Sequence, residues 1–182
     1  MGVGRLVGRL VEESRKPRSV RFKAALIAAG LTTFLIIIPC LLFFAAYALD
    51  RYFLADRVRS LEIGFAVLCI AAGLAFAGWT LFTQLRTGKG TPVPIAPPQK
   101  LIVTGPYKLC RNPLQLGVIV YYFGLGTYFG SLVIGVTMFV LALILGSAYH
   151  KLVEEKELIA KFGSEYEEYR SKTPFLIPKL WV

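Results

Sequence analysis

Two short polar clusters in this sequence carry side chains that can do chemistry. The first contains Arg111 and precedes a stretch without formal charge; the second follows that stretch and contains the adjacent pair Glu154 and Glu155. A guanidinium can hold a carboxylate through a forked, charge-assisted pair of hydrogen bonds. A carboxylate can accept hydrogen bonds from hydroxyl or amino groups, and it adds negative potential beside a cation. Together the two clusters suit one small charged molecule.

The uncharged stretch between the clusters must fold back on itself. Leu114–Tyr149 contains no Asp, Glu, Lys or Arg. A single helix of that length, at about 1.5 Å per residue, would measure about 54 Å, whereas the hydrocarbon core of a bilayer is about 30 Å thick. A turn near Gly126–Ser131 gives two short helices of about 17 and 19 residues that just cross a membrane. Such a hairpin brings the two clusters to the same side.

The rest of the chain also predicts membrane-spanning helices. Of the 182 residues, 55% are hydrophobic, which exceeds the roughly 45–50% of a soluble domain. Ala24–Leu49 and Leu61–Thr83 are each long enough for one span, and Pro39 is expected to kink the first. The fold class is therefore an all-α, polytopic membrane helical bundle with about four spans and a C-terminal cytoplasmic helix. Its parts are a basic interfacial segment (1–23), two transmembrane helices (24–83) and a ligand-binding core (84–182).

The basic residues predict the topology of the chain. Seven precede the first predicted span, three lie in 50–60, five in 84–113 and six after Tyr149. The positive-inside tendency then places both termini and the two polar clusters in the cytoplasm. The net charge of +10 is expected to face anionic headgroups of the lipid bilayer, not nucleic acid. Three dispersed cysteines, Cys40, Cys69 and Cys110, imply neither a disulfide framework nor a metal site.

A signature of residues runs through both clusters and the C-terminal region. It consists of Lys100-Leu101-Ile102-Val103-Thr104-Gly105-Pro106-Tyr107, Arg111-Asn112-Pro113, Gly117, Glu154-Glu155, Leu158, Phe162-Gly163, Tyr166, Tyr169, Thr173-Pro174 and Pro178. In these residues the sequence resembles the isoprenylcysteine carboxyl methyltransferases and the related phospholipid methyltransferases. The resemblance covers roughly Lys100 to Pro178. It departs from the usual pattern at Asn112, where the family commonly has histidine, and at Gln115, where it commonly has an aromatic residue.

The resemblance implies methyl transfer from S-adenosyl-L-methionine to a lipophilic acceptor. The most direct expectation is carboxyl O-methylation of an isoprenylcysteine-like acid or another lipid. The catalytic residues implied are Arg111 and Glu155. The cofactor-binding residues implied are Lys100, Leu101, Val103, Thr104, Gly105, Pro106, Tyr107, Arg111, Asn112, Gln115, Gly117, Glu154 and Glu155. A carboxylate acceptor needs no general base, whereas an amine would need one, such as Glu155, His150 or a tyrosine.

Other interpretations stay open at the level of sequence. The chain can be a phospholipid N-methyltransferase, an NADPH-dependent membrane reductase of sterol-like enones, or a lipid-binding membrane protein without catalysis. Arg111-Asn112-Pro113 also fits a headgroup-binding arginine, an N-cap and a first-turn proline at the start of a membrane helix. The sequence leaves the oligomeric state open.

Overall fold

The computed structural model describes residues 19–50, 59–88 and 99–178, together with Gly8 and Glu12. These ranges are helical apart from short connections. The helices are α1 (Val20–Thr32), a π-helical turn (Thr33–Ile37), α2 (Ile38–Asp50), α3 (Arg59–Gly88), a 3-10 turn (Gly105–Lys108), α4 (Pro113–Phe129), α5 (Leu132–Tyr149), a second π-helical turn (His150–Glu154), α6 (Glu155–Phe162) and α7 (Ser164–Lys172). Most of the interfacial segment predicted for 1–23 lies outside the described residues.

Within the described residues, three helical stretches are long and apolar enough to cross a membrane, judged by length and composition. They are Arg21–Ala48, Leu61–Gly88 and Leu132–Phe162. Helix α4 has 17 residues, which at about 1.5 Å each gives about 25 Å, slightly less than a hydrocarbon core. A helical membrane bundle is therefore confirmed, and a fourth span through α4 stays a prediction.

Two predicted helix boundaries were wrong by a few residues. Helix α3 continues to Gly88, although the sequence placed its end at Thr83. Gln84, Leu85 and Arg86 all favour helix, so the polar side chains did not mark the helix end. Helix α1 already begins at Val20, ahead of the predicted Ala24.

The first π-helical turn ends two residues before Pro39, the proline expected to kink this helix. Because proline has no amide hydrogen, neither the α-helical acceptor Leu35 nor the π-helical acceptor Phe34 receives a bond from residue 39. Two tyrosines of α4 supply the missing donors: the Tyr122 hydroxyl lies 2.7 Å from the Phe34 carbonyl oxygen, and the Tyr121 hydroxyl lies 3.2 Å from that of Leu35. The defect caused by the proline is thus satisfied by a neighbouring helix.

Small residues set close contact between α3 and α4. A Cβ atom added at Gly73 would lie 2.5 Å from the Tyr121 amide nitrogen, and one at Gly117 would lie 2.7 Å from the Ala77 amide nitrogen. The two backbones therefore touch where neither helix has a side chain. By contrast, Cβ atoms at Gly64 and Gly78 would meet nothing within 4 Å.

The uncharged stretch folds back as predicted. Helix α4 ends at Phe129, and the amides of Gly130 and Ser131 donate to the Gly126 carbonyl at 3.0 and 3.1 Å. The Ser131 hydroxyl then accepts from the Ile134 amide at 3.1 Å and caps the first turn of α5. The turn lies within the predicted window.

The chain forms two compact units. The hairpin unit comprises Leu31–Gly78 and Leu114–Gly146, and the loop unit comprises the described residues within Met1–Gly30, Trp79–Pro113 and Ser147–Val182. The chain leaves the loop unit at Pro113 and re-enters it at Ser147. Both polar clusters of the sequence therefore belong to the loop unit.

Candidate functional site

The loop before α4 is shaped by a glycine in the left-handed region. Gly105 has a φ of +61°, which a residue with a side chain rarely adopts, and it starts the 3-10 turn that continues with Pro106 and Tyr107. A Cβ at Gly105 would also approach the Thr83 hydroxyl oxygen to 3.2 Å. The turn closes with the Tyr107 amide donating to the Thr104 carbonyl at 3.3 Å.

The C-terminal segment is hydrogen-bonded along this loop. The Arg111 amide donates to the Pro174 carbonyl at 2.9 Å. Asn112 donates twice to the Phe175 carbonyl, from its amide at 3.2 Å and from its side-chain nitrogen at 3.0 Å. In α7, the Tyr169 hydroxyl donates to the Tyr107 carbonyl at 2.7 Å. These bonds fix the backbone around Arg111 from two sides.

Arg111 is the centre of the cluster. Its Nη1 lies 2.6 Å from Oε1 of Glu155, and the side chains of the pair are only 12% and 15% exposed. The same nitrogen lies 3.4 Å from the Tyr166 hydroxyl, and the guanidinium carbon lies 5.6 Å from the centre of the Phe175 ring. A charge-assisted hydrogen bond and a cation–π contact thus hold one largely buried cation.

A second arginine and an open depression adjoin this pair. Nη1 of Arg170 lies 3.8 Å from the other carboxylate oxygen of Glu155. A depression of about 550 Å³ is lined by residues that include Arg111, Arg170, Thr173 and Pro174. The arginine side of the cluster is therefore reachable from outside the protein.

Glu154 has a different partner from its neighbour. Its Oε2 pairs with Nδ1 of His150, one helical turn earlier, inside the second π-helical turn. Glu155 begins α6 directly after that turn. The adjacent glutamates of the signature therefore serve two separate pairs, Glu155 with Arg111 and Glu154 with His150.

Among the described residues, Arg111 and the nearby α6 residue Glu157, which follows Glu155 by two positions, each have a buried polar atom without a hydrogen-bond partner. These atoms are Nε of Arg111, a donor, and Oε1 of Glu157, an acceptor. Glu157 is only 5% exposed. It was not among the site residues predicted from the sequence. Its position three residues after Glu154 could have indicated it, because residues three apart lie on the same face of a helix. Nε of Arg111 can therefore donate a hydrogen bond to a ligand, and Oε1 of Glu157 can accept one.

Burial keeps the hydroxyl groups of Tyr107 and Tyr169 and the thiol of Cys110 neutral. Burial raises the pKa of the Tyr107 hydroxyl, and the negative charge of Glu154 raises it further. Burial also raises the pKa of the Tyr169 hydroxyl, and that of the Cys110 thiol to about 11. At neutral pH these groups act as hydrogen-bond donors and apolar walls, not as anions.

The other predicted site residues take varied positions. Side chains of Lys100, Val103 and Thr104 are exposed, Leu101 is half-buried and Pro106 is buried. Gln115 and Gly117 belong to the hairpin unit, where Gln115 is buried and Gly117 packs on Ala77. Their part in holding a ligand stays a prediction.

Comparison with known proteins gives the family. Residues 61–165 match the phospholipid methyltransferase family. Methanethiol S-methyltransferase 2 of Bradyrhizobium diazoefficiens is 34% identical over 79 residues, which are 42% of this chain and 28% of that protein. The nickel-cobalt-cadmium resistance protein NccN of Alcaligenes xylosoxydans xylosoxydans is 32% identical over 82 residues, 44% of this chain and 37% of that protein.

The cobalt-zinc-cadmium resistance protein CzcN of Cupriavidus metallidurans is 35% identical over 81 residues, 44% of this chain and 36% of that protein. The matched segment thus spans between 28% and 37% of the length of these three relatives. No solved structure matches it significantly. The family match covers both polar clusters up to Glu165 and more than half of the sequence, so this chain belongs to the phospholipid methyltransferase family.

Proposed function

We propose that this chain is an integral membrane enzyme that transfers a methyl group from S-adenosyl-L-methionine to a lipophilic acceptor. The observation that carries the proposal is the largely buried Arg111–Glu155 pair, formed between the two signature clusters across 44 residues of sequence. It lies within a chain whose family is named for this reaction.

The residues around Arg111 fit the cofactor. S-adenosyl-L-methionine carries a carboxylate, an ammonium group, two ribose hydroxyls and a sulfonium cation. The buried Nε of Arg111 is a donor for a carboxylate, and the buried Oε1 of Glu157 is an acceptor for an ammonium or hydroxyl group. Glu155 and Glu154 add negative potential that favours a cation nearby. The donor and acceptor set therefore matches the charges of the cofactor.

The loop residues would hold the remainder of the cofactor. Gly105 exposes its backbone, and Tyr107 together with Leu101 and Val103 offers apolar surface to an adenine ring or a methionine chain. Lys100, Thr104 and Asn112 complete the part of the implied set that belongs to the loop unit. The cofactor supplies an electrophilic methyl group on sulfur, so the protein needs only to align the acceptor with it and to keep water away.

Two acceptor classes are favoured by separate observations. The sequence signature points to the carboxylate of an isoprenylcysteine-like acid or another lipid. The relative from Bradyrhizobium is named for methyl transfer to a thiol. In both cases an apolar acceptor would enter laterally from the bilayer, whereas the charged cofactor would enter from the cytoplasm, where the distribution of basic residues places both termini and the site.

Mass spectrometry tests the proposal. The full chain in detergent micelles is incubated with cofactor carrying a deuterated methyl group and with an extract of membrane lipids, hydrophobic acids and thiols. We expect a deuterated methyl product with the wild type and at least a tenfold loss with Arg111→Ala. Arg21→Ala, at an exposed arginine of α1 outside the depression beside Arg111, is the matched control and should leave the yield unchanged. A wild type that labels no acceptor would refute the proposal.

A further inference from the structure

His150 and Glu154 form a partly buried pair, and its histidine has no part in the cofactor assignment. The imidazole is 19% exposed and the carboxylate 39%, and Nδ1 of the ring faces Oε2 of Glu154. A carboxylate can only accept a hydrogen bond, so the ring proton belongs on Nδ1. In the neutral ring the other nitrogen, Nε2, then keeps its lone pair. A neutral imidazole oriented by a carboxylate at Nδ1 is the arrangement of a general base.

The pair lies beside the Arg111 cluster in the loop unit. The charge of Glu154 acts electrostatically on Tyr107 in the loop and on Tyr166 in α7, and the Tyr166 hydroxyl also contacts Arg111. The Tyr149 ring lies 5.7 Å from the imidazole, edge to face. The imidazole is therefore paired with a carboxylate whose charge reaches residues around Arg111, and an aromatic ring lies at its side.

We infer that His150 is the general base of this enzyme and that its acceptor is a thiol; the inference rests on the proposed methyl transfer and narrows its substrate. A carboxylate acceptor has no proton to lose, so an oriented imidazole would have no task there. An alkyl ammonium holds its proton more tightly than a thiol does, by about two pKa units in model side chains, so a neutral imidazole suits the thiol better. The thiolate is also a far stronger nucleophile than the protonated thiol, so removal of the proton promotes the reaction.

In the proposed step the acceptor sulfur forms a bond to the methyl carbon while the bond from that carbon to the sulfonium sulfur breaks. The electron pair of the broken bond stays on the leaving thioether. The thiol proton moves to Nε2 of His150, and the charge of the resulting imidazolium is balanced by Glu154. Release of the proton to water restores the neutral ring. Glu154 is thus a positioning residue and His150 the catalytic one.

The ring nitrogens of His150 give a test that does not depend on activity. The chain contains one histidine, so isotope labelling of the histidine ring nitrogens yields a single imidazole in the NMR spectrum. We expect the neutral ring of the wild type to carry its proton on Nδ1 and none on Nε2. Glu154→Gln should mix the two tautomers, whereas Lys156→Ala, an exposed control on the following helix, should not. A wild-type ring with its proton on Nε2 would overturn the inference.

Matched acceptors test the catalytic role. Dodecanethiol and dodecanoate share one chain length but differ in whether a proton must leave. His150→Ala should lower thiol methylation by about 100-fold, with a loss of less than about threefold in the affinity for S-adenosylhomocysteine. Free imidazole added to the variant should restore part of the thiol activity.

The outcomes separate the two proposals. Equal losses on both acceptors without rescue by imidazole, or methylation of dodecanoate alone, would overturn the role of His150 and leave methyl transfer standing. A wild type that binds the cofactor product but methylates neither probe nor any extracted acceptor would refute the proposed function, and the base role with it.

Discussion

Nη1 of Arg111 lies 2.6 Å from Oε1 of Glu155, although the two residues are 44 positions apart and an entire helical hairpin separates them in sequence. Both side chains are largely buried, so each charge has little contact with water and is balanced by its partner. Removing one partner leaves the other charge poorly solvated, which costs more than the pair itself contributes.

A double-mutant cycle measures this coupling. Arg111→Met and Glu155→Gln should each lower the free energy of unfolding in detergent micelles by about 2 kcal/mol, and the double variant should lose less than the two losses together. The exposed pair Lys172–Glu168, with side chains 70% and 69% exposed, is the control and should show no measurable coupling. Additive losses at Arg111 and Glu155 would contradict the buried pair.

The sequence predicted the meeting of these two clusters because length and charge leave few choices. A stretch without formal charge from Leu114 to Tyr149 is too long for one span, so it must return, and its ends must then lie on the same side. Gly126, Gly130 and Ser131 supplied the position of the turn. This part of the fold follows from elementary dimensions.

The surroundings of Arg111 could not be predicted in the same way. The C-terminal segment is held through the carbonyls of Pro174 and Phe175, and backbone groups are common to all residue types. The π-helical turn His150–Glu154 adds a residue to one helical turn, which changes the side that each later residue faces. The regular spacing of an α-helix therefore does not apply across this turn, and the sequence could not show that Glu154 and Glu155 have different partners.

The hydrogen bonds that Tyr121 and Tyr122 donate near Pro39 predict that the cost of losing one of them depends on the presence of the proline. Tyr121→Phe removes the donor to the Leu35 carbonyl and should lower the free energy of unfolding by about 1 kcal/mol. Pro39→Ala restores an amide hydrogen at residue 39, so Tyr121→Phe should cost almost nothing in that background. Denaturation in micelles measures both, with the exposed Tyr47→Phe as control. The same loss in both backgrounds would argue against this pairing.

The contact between α3 and α4 predicts a contrast between two glycines of α3. Gly73→Ala would push a methyl group onto the backbone of Tyr121 and should destabilise the protein by about 2 kcal/mol. Gly78→Ala meets nothing within 4 Å and favours helix, so it should be neutral or slightly stabilising. Thermal unfolding of the two variants decides, and equal effects would contradict the packing described.

The Cys110 thiol predicts a dependence of stability on alkaline pH. Burial raises its pKa from 9.0 to about 11. Below a pH of 9.0 the thiol is neutral in both the folded and the unfolded chain. Above it the unfolded chain loses the proton first, so the free energy of unfolding falls as the pH rises toward about 11. We expect the melting temperature to drop less in Cys110→Ala than in the wild type between about pH 9 and about pH 11. Parallel curves would show that Cys110 is not buried in this way.

Calorimetric titration with S-adenosylhomocysteine, the product left after methyl transfer, tests the central claim most directly. The full chain in micelles should bind it saturably at one site. Arg111→Lys keeps the charge but loses the fork, and Glu155→Gln loses the carboxylate, so each should weaken binding at least tenfold while circular dichroism shows unchanged helix content. Absence of saturable binding in the wild type, or equal affinity in both folded variants, would contradict the account.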